Sequence, residues 1–177
     1  PEPDAMWNKY GTTSGSYPDL DRFNRVTSSR WTKDLATDVD FYDVDITYDR
    51  NSNITATVDV IQVDSSGDGL YDVEYTLDDR NRLTQAEEGD WDGSSLTNTA
   101  RDQQWTTLSQ TGNWDRGKLD LTGDGDFIDT DEYDDTRTHN VANELTDRTP
   151  VANSLTYTAT GALNEDSENY EYEYDAF

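Results

Sequence analysis

The chain has no cysteine, one histidine, one methionine and four prolines in 177 residues. Without cysteine, disulfides and thiolate metal sites are excluded. An extracellular location is not excluded, because many bacterial surface proteins lack cysteine. No apolar run approaches the roughly 20 residues that span a bilayer. Bases are scarce: 13 Lys and Arg stand against 39 Asp and Glu, a net charge of −26. Nucleic acid and anionic membrane surfaces are therefore poor partners, and cations are good ones. Apolar residues make up 32% of the chain, below the roughly 45–50% (Gly included) of ordinary globular domains. High charge with low hydrophobicity also describes disordered chains. Against that stand several clean period-2 stretches. The apolar set leans on 11 Tyr and 5 Trp, which bury large areas while keeping a polar handle. A thin sheet core is expected. Pro1 is not a translation start, so a processed or excised chain is expected.

The best-patterned stretch surrounds Tyr48 to Thr55. Before it, Tyr42, Val44, Ile46 and Tyr48 alternate with Asp43, Asp45 and Thr47. After it, Ile54, Ala56, Val58 and Val60 alternate with Thr55, Thr57 and Asp59. Alternation gives each arm one side to bury and one to wet. The polar segment between them tolerates turn conformations. This predicts a hairpin, and weaker copies recur. Val73, Tyr75 and Leu77 lead into Asp78-Asp79-Arg80-Asn81, with Leu83 on the return arm. Gln104 to Leu108 predicts a strand, and Leu155 to Leu163 a hairpin corner. Around Val141 and Leu145 a turn fits better than a helical one. Tyr170, Tyr172 and Tyr174 alternate with Glu171, Glu173 and Asp175 as a last strand. Residues 1–16 predict an irregular lead-in, and 87–98 a loop. Turn centres fall near Arg25, Asn53, Arg82, Asn113, Asn143 and Ala162, mostly about 30 residues apart, a spacing typical of repeat arrays.

The ordered series resembles the YD repeat of the RHS/teneurin family, whose unit reads Tyr-Asp-x-x-Gly-Asn/Arg-Leu-x. Tyr48-Asp49-x-x-Ser52-Asn53-Ile54 carries the likeness best. Leu20-Asp21-Arg22-Phe23-Asn24-Arg25-Val26 and Leu77 to Leu83 match the variant with Arg after the turn. The similarity covers roughly 17–177, with acidic insertions at 64–72 and 115–135. Most units replace the Gly, and Thr158 replaces the Asp in the sixth, which predicts looser or altered turns there. The resemblance implies an all-β fold: repeated antiparallel hairpins forming a curled or spiralling sheet, part of a shell or fibre. The family's self-cleaving Asp-Pro-x-Gly pattern is absent, so neither that activity nor a toxin is assigned.

Two insertions suggest calcium. Asp120, Thr122, Asp124 and Asp126 supply oxygens at alternate positions, Gly125 stands sixth and Asp131 twelfth. This loop resembles the dockerin version of the calcium loop. Asp64, Ser66, Asp68 and Asp72 resemble the Asp-rich loops of thrombospondin type 3 repeats, but Tyr75 takes the place of the bidentate acid. Calcium needs several hard oxygens, and clustered carboxylates repel until a cation joins them. Asn53-Ile54-Thr55 is an N-glycosylation sequon that coincides with the turn motif. Catalysis is poorly supported. His139 reads as a hydrogen-bonded turn residue. Glu87 with Glu88, or Asp90 with Asp92, reads as solvated acid rather than a glycosidase pair. Trp7, Trp91 and Trp114 fit sheet cover better than sugar stacking.

The expected function is non-enzymatic: a segment of a secreted bacterial RHS-type surface assembly, fibre or shell, ordered by calcium. The expected location is extracellular or on the bacterial surface. Self-association through sheet edges or the terminal strand 170–177 is expected. Alternatives are a calcium-dependent adhesin binding an extracellular glycan, and the encapsulating shell of a toxin-delivery protein.

Overall fold

The computed structural model describes residues 6–9, 19–33, 39–61, 72–149, 155–166 and 170–174. The loop around Asp64, Ser66 and Asp68 lies outside them, as do most of the lead-in and the last three residues. The described chain is all-β. It divides into two units, Pro1–Arg101 and Asp102–Phe177. The first holds β1 (Met6–Lys9), β2 (Ser28–Lys33), β3 (Val39–Tyr48), β4 (Ile54–Asp59), β5 (Asp72–Leu77), β6 (Leu83–Trp91) and the start of β7 (Leu96–Leu108). The second holds the rest of β7, then β8 (Trp114–Asp120), β9 (Tyr133–His139) and β10 (Leu145–Thr149). It also holds β11 (Thr156–Tyr157) and β12 (Leu163–Glu165), which pair with each other. Within each unit the main-sheet strands lie in chain order.

The corners explain this order. In all six, the first residue's N–H donates to the fifth residue's carbonyl, and the fourth residue's N–H donates to the first residue's carbonyl. The first residues are Asp21, Asp49, Asp78, Ser109, Asn140 and Thr158. The fourth residue is left-handed every time: Asn24 (φ 61°), Ser52 (71°), Asn81 (60°), Gly112 (93°), Asn143 (63°) and Gly161 (83°). This is a tight turn followed by a bulge, a common hairpin closure. The first side chain completes it from inside. Asp49 Oδ1 accepts the N–H groups of Asn51 and Asn53 at 2.8 and 2.9 Å. Asp21, Asp78 and Asn140 accept the same two N–H groups of their own corners. Ser109 and Thr158 accept the second through their hydroxyls. The expected looseness of the variant corners is not seen in the backbone. Asn in place of Gly adopts the left-handed conformation at modest cost, and a hydroxyl replaces the carboxylate as acceptor.

The bulge sets which side chains share a face. Val44 pairs with Asp59, Asp45 with Val58, Ile46 with Thr57 and Thr47 with Ala56, after a one-residue shift beside Tyr48. A one-residue shift moves a strand's whole apolar set to the other face. The apolar sets of the two arms therefore lie on opposite faces. In the first unit, the pairings collect Trp31, Tyr42, Val44, Ile46, Val73 and Tyr75 on one side. Asp43, Asp45, Asp72, Glu74 and Glu87 gather on the other, with Ala56 and Val58 among them.

Burial is correspondingly unusual. Among the described residues the buried hydrophobic side chain is Ala56, whereas Thr32, Asp43, Asp72, Asp102, Asp120 and Asp135 are buried polar ones. The buried acids are spent on side-chain and backbone bonds, several of them between strands. Arg30 Nε donates to Asp43 Oδ2 at 2.7 Å. Asp72 accepts the N–H of Asp59 at 2.8 Å and that of Trp91 at 3.0 Å, tying the strands on both sides of its own. Gln104 donates to Asp102 at 2.6 Å. Asp135, with no exposed surface, takes Arg137 and Arg148 on one oxygen.

Several element bounds differ from the sequence reading. Met6–Lys9 is a strand inside the presumed lead-in. The expected loop over 87–98 shrinks to the turn between β6 and β7, because Asp72 and the neighbouring strands hold this charged segment extended. The acidic insertion at 115–135 contributes residues to β8 and β9, leaving 121–132 as loop. The segment 170–174 makes a single bridge, Glu165 to Glu171, rather than a strand.

Candidate functional site: an acidic insertion and a row of corners

Within each unit the corners close one end of the hairpins, and in the second unit the 121–132 loop joins β8 to β9 at the other. The insertion between β8 and β9 is the candidate metal loop. Its first residue, Asp120, is 1% exposed. Asp120 accepts the N–H groups of Thr122 (2.9 Å), Gly123 (2.6 Å) and Gly125 (2.9 Å). Burial pushes this carboxyl up, and those three N–H bonds more than reverse it, so it is held below the usual carboxylate range. Positive φ at Gly123 (73°) and Gly125 (86°) lets the backbone wrap around it. Asp124 and Asp126 each accept one backbone N–H two residues on, from Asp126 and Ile128. Asp131 is exposed, with φ 69°.

Glu132, which the twelve-residue count passed over, closes the loop instead. Its Oε1 accepts the N–H of Leu121 at 2.8 Å and its Oε2 that of Asp129 at 3.0 Å. The signal available in the sequence was its position directly after Asp131. Among the described residues no three acidic or histidine side chains converge as a metal cage. The charges are nonetheless close enough to matter. Glu132 first, then burial and the carboxylates of Asp126, Asp124 and Asp120, raise the Asp129 pKa above its ordinary value. Of the second candidate set, Asp72 is the described member, and both its oxygens are taken by backbone N–H groups.

The corners also bind one another within each unit. Asn81 Oδ1 receives Asn51 Nδ2 at 2.9 Å and Asn53 Nδ2 at 2.8 Å. In the second unit, Asn143 Oδ1 receives Thr111 Oγ1 at 3.2 Å and Asn113 Nδ2 at 3.1 Å. The positions are the same: third and fifth residues of one corner donate to the fourth of the next. The residue before the corner adds a second link. Tyr48 donates its hydroxyl to Val26 O, and Tyr157 to Leu145 O, both at 2.8 Å and both to equivalent carbonyls.

These links bear on the sequon. Asn53 Nδ2 donates to both Asp49 Oδ2 and Asn81 Oδ1, at 2.8 Å each. Its two amide hydrogens are committed, so no glycan is expected there. Intact-mass spectrometry of material expressed in a glycosylating host checks this, and an added glycan mass removed by Asn53→Gln would contradict it.

Corner carboxylates also set an acid limit. The side-chain bond from Arg82, then the N–H of the same residue, holds Asp78 at about 2, against 3.8 unperturbed. A folded-state value below the unfolded one stabilises fully above the unfolded value and is lost as pH falls through the folded one. The Asp78 contribution is therefore expected to vanish between pH 3.8 and about 2. Asp129 works oppositely, relieving the loop as it protonates above 3.8. Carboxyl carbon shifts followed by NMR against pH read both groups; an Asp78 midpoint above that of Asp129 would refute the assignment.

His139 Nδ1 is buried without a hydrogen-bond partner and lies 3.9 Å from Asp115 Oδ1. The pairs Glu87–Glu88 and Asp90–Asp92 do not face a shared cleft: Glu88 binds Arg101, and Asp92 caps the turn at Ser94 and Ser95. Trp114 lies over the sheet, its ring under the Arg137 guanidinium at 3.4 Å. Compared with protein-family models the sequence matches none, and a search of curated proteins returns no match.

Proposed function

We propose that the chain is a non-enzymatic structural segment of a secreted, RHS-type bacterial surface assembly. In this reading its hairpins are YD repeats, and the sheet curls as it grows into part of a fibre or shell. The observation that carries it is the row of corners. Six of them share one backbone pattern, and neighbours are joined through equivalent side chains. Such an array stabilises each unit mainly through its neighbours and extends without limit. Exposed apolar side chains among the described residues, Trp31, Phe41 and Tyr42 among them, also suit a component of something larger. Electron micrographs of the native particle, with and without chelator, test the reading. Filaments or closed cages support it, and a monodisperse monomer at high concentration overturns it.

Calcium ordering of the 120–132 loop belongs to the same proposal. Binding would turn Asp124 and Asp126 from backbone caps into ligands and draw in Asp131 or Glu132. At one hundred times the dissociation constant, a bound ion adds about 2.7 kcal/mol of stability. Millimolar calcium is expected to raise the thermal midpoint, and Asp124→Asn with Asp126→Asn to abolish the rise. An unchanged midpoint in the unsubstituted chain would remove calcium from the proposal.

A glycan-binding adhesin is the second reading. It is favoured by one depression of about 370 Å³ lined by Ser29, Trp31, Phe41 and Tyr42, whose exposed rings suit stacking on sugars. A glycan array probed at millimolar calcium tests it, and no retained glycan would exclude it.

A further inference from the structure

The corner end of the first unit gathers three arginines on two neighbouring corners. A cleft of about 770 Å³ lies between the first two corners, lined by Arg22, Arg25 and Arg50 with Phe23 and Tyr48. Arg22 and Arg50 are exposed, and Phe23 is 61% exposed. The guanidinium of Arg22 lies 4.7 Å from the Phe23 ring centre, and that of Arg25 lies 4.5 Å from the Tyr48 ring centre.

Two acids share the cleft, Asp21 and Asp49, but both face inward. Asp49 holds two backbone N–H groups and the Asn53 amide. Asp21 holds two N–H groups and Arg25 Nε. Neither can swing out to meet Arg22 or Arg50 without opening its corner. Arg25, like Arg30, Arg82, Arg101, Arg116, Arg137 and Arg148, lies directly against a carboxylate, so Arg22 and Arg50 are the cations the cleft offers outward. The cleft thus presents cations beside aromatic faces, which suits an extended strand of alternating acid and aromatic residues.

The chain contains such a sequence, bridged to its own chain at Glu165–Glu171 and bonded to Asn164 and Asp166, so that docking exchanges these bonds for contacts with a second copy. Residues 170–174 read Tyr-Glu-Tyr-Glu-Tyr and are exposed throughout, with Tyr170 at 62% and Tyr174 at 59%. We propose that the 170–174 segment of one copy docks into the Arg22–Arg25–Arg50 cleft of a second copy. Glu171 and Glu173 meet Arg22 and Arg50, and tyrosine rings stack beside Phe23. Because the donor segment and the cleft are different surfaces, the contact is head-to-tail and propagates along a series of copies unless the ring closes. With a net charge of −26 on each copy, a cationic receiving site is what lets two copies approach. This deepens the assembly proposed above and rests on it.

The test uses the full chain and a labelled peptide of the sequence Tyr170 to Phe177. Fluorescence anisotropy reads peptide binding, and sedimentation velocity reads assembly of the chain itself. Arg22→Glu with Arg50→Glu is expected to weaken peptide binding at least about tenfold and to stop assembly. Glu171→Arg with Glu173→Arg is expected to stop assembly too, and all four changes together to restore it. Circular dichroism confirms that these exposed changes leave the fold intact. Assembly that survives both charge reversals overturns the docking while leaving assembly standing. Peptide binding without assembly of the chain would show that the cleft takes the free segment only, and overturns docking between copies. Polyglutamate binding as tightly as the peptide would show a general polyanion site and overturn the commitment to a second copy.

Discussion

Asp135→Ala is expected to cost about 3–5 kcal/mol of unfolding free energy, the usual result of stripping one partner from a buried ion cluster. Asp135 has no exposed surface and sits on β9 between Arg137 on its own strand and Arg148 on β10. Removing it leaves two guanidinium groups facing each other across a strand pair, where Arg137 pairs directly with Arg148. One of them, Arg137, is only 18% exposed and has no other carboxylate within ion-pair distance among the described residues. Urea unfolding of the variant measures the loss, and a loss below about 1 kcal/mol would show that water already screens the cluster. Asp135→Asn should fall between, since the amide keeps the shape and one acceptor but not the charge. Replacing all three residues by apolar ones of similar size is expected to recover much of the loss. That recovery would separate the cost of an unpaired charge from the worth of the pair.

Gly117→Ala carries the second large effect. Gly117 pairs with Asp135 across β8 and β9 and with Trp105 across β7 and β8. A β-carbon there would collide with the Cζ3 edge of the Trp114 ring and come within 3.0 Å of Asp135 Oδ1. The ring cannot retreat freely, because the Arg137 guanidinium lies on its face. The methyl group would also crowd Asp135 Oδ1, which is buried without a hydrogen-bond partner. Overpacking of this kind costs about 1–3 kcal/mol. Near-UV circular dichroism should lose Trp114 signal in parallel. Adding Trp114→Ala to Gly117→Ala should cost less than the two separate losses combined, because the clash disappears with the ring. Strict additivity would refute the contact.

The corners were legible in the sequence because their chemistry is local. Asp49, Asn51 and Asn53 lie within five residues and supply every bond the turn needs. The same holds for Asp78 with Arg80 and Arg82. The facing of Val44 and Ile46 away from Ala56 and Val58 was not legible. It depends on a single register shift beside Tyr48, which alternation cannot reveal. The buried aspartates were not legible either. Asp43, Asp72 and Asp135 look like solvent-facing strand residues, and their partners come from other strands or sit two residues away. For the candidate metal loop, spacing indicated the wrap around Asp120 through Gly125. It missed Glu132, whose role depends on where the strand after the loop begins.

Strand order that follows chain order has a kinetic consequence. Each main-sheet strand finds its partner in the segment just before it, so no pairing waits for a distant part of the chain. Each closure spans one connection between consecutive strands, which favours rapid pairing despite the all-β composition. A chain emerging N-terminus first from a ribosome or a pore would always have the previous strand ready as a template. Folding of this kind advances like a zipper, one hairpin at a time, and its pace is set by emergence rather than by search.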